Sequence, residues 1–191
     1  MRQVATSWKV IEEVLWEHAH RADEALRPPA SKGDATEPEE ALGRKLPAGL
    51  KASHLIHDGM TDRQDLVDYR SLLSYERTAF WRRLCTGHQR QVGGNGNPET
   101  KTRKIRKGQR WGDGWIPVME TVGGDLTVLD LDPGSAGARG QIFPWCNNGA
   151  TAMRVTAVSF PAWLDALAEE LVHRRFTPDD MGTINLKRRL I

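Results

Sequence analysis

Apolar residues recur at helical spacing through the first part of the chain and as short extended runs in the second. Trp8, Ile11, Leu15, Ala22 and Leu26 fall on one side of a helix over 7–26, with Glu12, Glu13, Glu17, Arg21 and Glu24 around the other. Pro28 and Pro29 end it. A second helix is predicted from Thr36, where Thr36 and Glu39 have capping-box spacing, to Gly43. Leu46-Pro47 opens a third, which runs through Leu50 and Ile56 and stops at Gly59. Phe80, Trp81 and Leu84 set a fourth over 75–84, with Gly87 past its end.

Beyond residue 110 the period becomes strand-like, and strands are predicted over 115–119, 126–131, 140–145 and 153–158. Gly123-Gly124-Asp125 reads as a hairpin turn, because glycine reaches positive φ without steric cost. Pro117 has no N–H for a ladder, so its strand is expected to lie at an edge or to begin there. Ser159-Phe160-Pro161 starts a last helix, which carries Trp163, Leu164, Leu167, Ala168 and Leu171 on one face. Helices, then an antiparallel meander, then a closing helix predict an α+β domain spanning 1–191.

The stretch 88–110 fits neither pattern and offers no apolar face, so it is expected to be a mobile insertion. It also carries the charge imbalance. The chain's net charge is +2, yet this stretch holds seven Arg and Lys against Glu99 alone, which leaves the remainder mildly acidic. With 191 residues the chain can bury roughly 70% of its unfolded surface. A core is therefore available without disulfides, and Cys85 and Cys146 are expected to be reduced and structural. No apolar run nears the ~18 residues of a membrane span, and the N-terminus lacks the apolar core of a signal peptide. A cytoplasmic protein is expected.

Asp130 and Asp132 form the best catalytic pair, since alternate strand positions place them on one side at a spacing suited to a divalent cation or to acid–base work. Against this, carboxylates at a strand end beside Pro133-Gly134 commonly accept loop N–H groups. His57-Asp58-Gly59 resembles an activated histidine but sits where a helix should be capped. The cysteines have no CxxC spacing, and no phosphate-binding glycine motif is present. No cofactor or metal is therefore expected. Among seven tryptophans, Trp163 is expected in the core, and Trp111, beside Gly112-Asp113-Gly114, as an exposed anchor of the kind that dominates interfaces.

Taken in order, Trp8…Ile11-Glu12, Leu46-Pro47…His57-Asp58-Gly59, Trp115-Ile116-Pro117, Gly123-Gly124-Asp125…Leu129-Asp130, Gly140-Gln141-Ile142 and Ser159-Phe160…Trp163-Leu164 resemble the SUKH superfamily of Smi/Knr-like cell-wall-assembly regulators. The resemblance implies helices packed around a mixed, mainly antiparallel sheet and a protein-binding role without catalysis. It points to an immunity protein that neutralises a cognate toxin, or to a regulatory scaffold. Asp58, Trp111, Trp115, Asp130 and Gln141 are the exposed or rim residues expected to meet a partner. Two other readings compete: a metal-assisted hydrolase using Asp130 and Asp132, and a nucleic-acid binder using the basic run 101–110.

Overall fold

A computed structural model describes residues 2–61, 64–92, 102–106, 111–147, 153–188 and 190. Four strands form an antiparallel sheet in the order β1 (Ser71–Leu72), β2 (Trp115–Glu120), β3 (Leu126–Asp130) and β4 (Gln141–Trp145). A separate hairpin, β5 (Phe176–Pro178) with β6 (Ile184–Leu186), follows the last helix. The predicted 123–125 hairpin is present: Gly124 has φ +81° and the Thr121 N–H donates to the Asp125 carbonyl at 2.9 Å. No strand is described over 153–158, where only Ala157 bridges to Ile142.

Alternation along the strands separates two cores. Ile116, Leu129 and Ile142 face a large cluster built with α1 (Arg2–His18), α4 (Ala48–His54) and α6 (Phe160–Val172). Val4, Trp8, Ile11 and Leu15 of α1 meet Trp163, Leu164, Leu167 and Leu171 of α6 in it. The opposite face carries Trp115, Val128, Phe143 and Trp145, covered by Trp111, Cys85, Met153 and Ile105. Helix α5 (Tyr75–Val92) flanks both, with Tyr75 in the first cluster and Cys85 in the second.

Several boundaries differ from the sequence expectations for physical reasons. The helix expected over 7–26 divides at Ala19 (φ −144°, ψ 56°), which separates α1 from α2 (His20–Glu24). In α3 (Thr36–Leu42) Thr36 makes no cap, and Glu39 instead accepts from Lys45, Lys51 and the Leu46 N–H, tying α3 to the start of α4. Helix α5 passes through Gly87 to Val92, so part of the expected loop is helix. Ile105, within the same stretch, is buried. Ser159 caps α6 as predicted, its Oγ accepting from the Ala162 N–H at 3.2 Å.

Both margins of the sheet are closed. Pro117 is not in an edge strand by order, but β1 pairs only with Met119 and Glu120, and the Pro117 carbonyl is taken by Thr78 Oγ1 of α5. On the outer side of β4, Ile142 bonds to Thr156 and Ala157, and the next outward position is Pro144. Proline at these points removes the donors a further strand would need.

Candidate functional site

Three of the five expected partner-binding residues stand in a row across the sheet. Trp115 pairs with Asp130 in register, and Asp130 pairs with Gln141, so all three share the face of the second cluster. Trp111 joins them, edge-on to Trp115 at 5.5 Å and to Trp145 at 5.3 Å. The exposure expected for these four is not found: Trp111 is 4% exposed, Trp115 and Gln141 1%, and Asp130 0%. They are covered by α5 and by the 102–106, 111 and 153 segments that pack on this face of the sheet. Asp58 lies apart, half-buried at the start of α5.

Their hydrogen bonds define structural work. Asp130 Oδ1 accepts from the Asp132 N–H at 2.8 Å and Oδ2 from Gln141 Nε2 at 3.0 Å. Burial and the nearby Asp132 charge raise the Asp130 carboxyl above its usual range, against these hydrogen bonds and the Arg106 charge. Asp132 Oδ1 pairs with Arg106 Nη2 at 2.7 Å. The two aspartates are thus engaged with donors of the fold. Among the described residues no group of three or more His, Cys, Asp or Glu is gathered for a metal.

Asp58 joins α4 to α5. Its Oδ1 accepts from His54 Nδ1 at 2.8 Å and from the Tyr75 N–H at 2.9 Å, and Arg27 Nε stands 4.0 Å from Oδ2. Burial pushes this carboxyl up, but the His54 and Tyr75 hydrogen bonds and the nearby Arg27 charge outweigh it and bring it below the usual range. His57 is held by Glu12 at 2.7 Å and by the Arg27 carbonyl at 3.1 Å. Gly59 has φ +71°, and a Cβ there would meet the Leu73–Ser74 backbone at 2.4 Å. The motif joins two helices, but α4 ends at His54 with Leu55 as its cap, so Gly59 is not the helix cap expected from the sequence and serves the close approach to the Leu73–Ser74 backbone. Burial pushes the Cys85 thiol up to about 12 despite the Arg82 charge, which makes it a poor nucleophile.

The surface that the sequence did not single out is the outer side of α5. Phe80 and Leu84 are 46% and 49% exposed, one helical turn apart, with Arg77, Trp81 and His88 along the same stripe. Arg77 lies over the Phe80 ring at 5.0 Å and the Trp81 ring at 5.8 Å. Glu120 of β2 receives Arg77 Nε at 3.1 Å and Nη2 at 2.6 Å. Next to this stripe, a cavity of about 320 Å³ is lined by Trp81, Leu84, Cys85, His88, Trp111, Trp145 and Asn147. A second hollow, sharing Trp81 and Asn147, continues over Arg77, Glu120 and the 121–124 turn, where Val122 is 91% exposed.

The signal for this face was present in α5 but ambiguous. Thr78, Ala79, Arg82 and Cys85 form the side that packs inward, small residues among them allowing close approach. Periodicity finds two such stripes and does not say which is covered. Arg82 is turned in to the Asp113 carbonyl at 2.8 Å, leaving the aromatic side to solvent.

The chain is thus an α+β domain with an aromatic, arginine-bearing helix face. The chain belongs to the SMI1 / KNR4 family (SUKH-1), whose model matches residues 29–166. No curated protein matches the chain. The matched span leaves out α1, although Trp8, Ile11 and Leu15 are among its most buried residues. Among the described residues no helix is long and apolar enough to cross a membrane.

Proposed function

We propose that this chain is a non-enzymatic protein-binding domain that acts in the cytoplasm as an immunity protein, binding a cognate toxin and neutralising it. A regulatory role in cell-wall synthesis, as a Smi/Knr-like scaffold, is the form the same binding would take with an endogenous partner. Family membership supports protein binding in general. The observation that carries the site is the outward stripe of Arg77, Phe80, Trp81 and Leu84. Tryptophan and arginine are the residue types enriched at interface hot spots, and a mixed aromatic stripe left in water costs the free protein solubility. The closed sheet margins favour recognition by side chains over strand addition.

The test is calorimetric titration of the full chain with the protein encoded beside it, in particular the C-terminal domain of a large secreted protein if one lies upstream. Phe80→Asp with Leu84→Asp is expected to abolish binding while leaving the melting temperature nearly unchanged, because both side chains are half in solvent. Absence of binding by the parent would defeat the immunity reading. Binding unaffected by the double substitution would move the interface away from α5.

A further inference from the structure

The basic segment 102–106 is built into the protein. Ile105 is 1% exposed, inside the cluster of Trp111 and Trp115. The Lys104 carbonyl accepts from the Gly134 N–H at 2.9 Å and from Gln141 Nε2 at 2.8 Å, and the Arg103 carbonyl from the Ala136 N–H at 3.2 Å. The connection between β3 and β4 has no side chains where the segment crosses it. A Cβ on Gly134 would lie 2.2 Å from the Arg103 oxygen, and one on Gly137 2.2 Å from the Lys104 oxygen. Buried Asp130 orients Gln141 for its bond to Lys104.

This lock holds three cations outward. Arg103, Lys104 and Arg106 are all exposed; Arg106 pairs with Asp132, and no ion pair is made by Arg103 or Lys104 among the described residues. Between the two arginines opens a cleft of about 440 Å³, floored by Ile105, Pro133, Gly134 and Ser135. Arg103 and Arg106 are its only ionisable lining groups among the described residues.

We propose that this ridge is a preorganised surface for an acidic protein segment, whose carboxylates enter the cleft between Arg103 and Arg106. Guanidinium groups take carboxylates through paired N–H donors, and a backbone fixed in advance loses little freedom on binding. A protein ligand fits better than a nucleic acid. Within the described ridge Arg106 is already paired with Asp132, and the cleft offers guanidinium groups only at Arg103 and Arg106, a spacing that suits separate carboxylates better than a continuous phosphate backbone. The inference rests on the protein-binding reading and adds to it a second face and the partner's charge.

The experiment measures binding of the full chain to poly-L-glutamate and to a duplex DNA oligonucleotide over a salt series. The parent is expected to bind poly-L-glutamate, more weakly as salt rises, and Arg103→Glu with Lys104→Glu to weaken it by roughly tenfold or more. Gln141→Leu, which keeps every charge but unfastens Lys104, is expected to weaken binding as well and to speed amide exchange over 102–106. Should it fail to fold, Gly137→Ala serves the same purpose. The proposal is overturned if the parent does not bind poly-L-glutamate, if charge reversal changes nothing, or if the unfastened variant binds as the parent does. Tighter binding of the duplex would overturn it in favour of nucleic acid. The α5 titration is independent of every one of these results, so failure of the ridge and failure of the protein-binding reading can be told apart.

Discussion

Trp81 Nε1 of α5 donates to Glu120 Oε2 of β2 at 2.5 Å, the same oxygen that receives Arg77 Nη2. One carboxylate therefore sets the pose of two of the residues in the exposed stripe. Glu120→Gln is expected to lower stability by no more than about 1 kcal/mol, since the Arg77 side chain remains partly in water. The Trp81 indole should nevertheless shift its ¹⁵N resonance, and partner binding should weaken. An unchanged indole signal would show that Glu120 does not orient Trp81 in solution.

The two glycines of the β2–β3 turn should behave differently. Gly124 holds φ +81°, whereas Gly123 does not need positive φ and a Cβ there would meet Thr121 Oγ1 only at 3.7 Å. Gly124→Val is expected to cost about 1–3 kcal/mol in chemical denaturation, and Gly123→Val much less. Equal effects would contradict the turn geometry.

Trp163→Ala is expected to cost about 3–5 kcal/mol and Ile105→Ala about 2–5 kcal/mol, both being 1% exposed. The second value separates the structure from the sequence reading, in which 88–110 is a mobile insertion with no apolar face to bury. Deletion of 89–108 is accordingly expected to destabilise the domain, because it removes Ile105 and the carbonyls that Gly134, Ala136 and Gln141 use. A deletion variant melting with the parent would show that the segment contributes nothing to the core.

Comparing the parent with Asp58→Asn over an acid titration isolates Asp58. Its carboxyl is below the usual range in the folded chain, so the stability it contributes is present above its unfolded value, about 3.9, and is lost as pH falls below that. Asp58→Asn should be less stable than the parent at neutral pH, and the gap should close toward pH 3. A gap that stays constant would mean that the charge on Asp58 does not contribute.

The sequence made the scaffold legible wherever a local rule decided the matter. Ser159 caps through its own side chain, Gly43 and the 123–125 turn act through their own backbone, and Trp163 and Leu167 repeat at a helical period that a covered face explains. The site was harder. Trp111, Trp115, Asp130 and Gln141 stood out as polar or large residues near turns, but cross-strand register and a distant segment at 102–106 decide their burial. Phe80 and Leu84 looked like ordinary helix positions, since nothing local tells which stripe of α5 meets Pro117 and Asp113. β1, two residues long, exists through its pairing with β2 and leaves no pattern of its own.

Pro117 and Pro144 have a consequence for how such a domain can diversify. Where these prolines stand, an added strand would find no N–H to pair with, which disfavours growth of the sheet at those points. It also frees ligand choice from the hydrogen-bond ladder. If the proposed α5 face is the interface, replacing a few side chains on its outer turns would redirect the molecule to a new target while strand register, hairpin and core stay as they are.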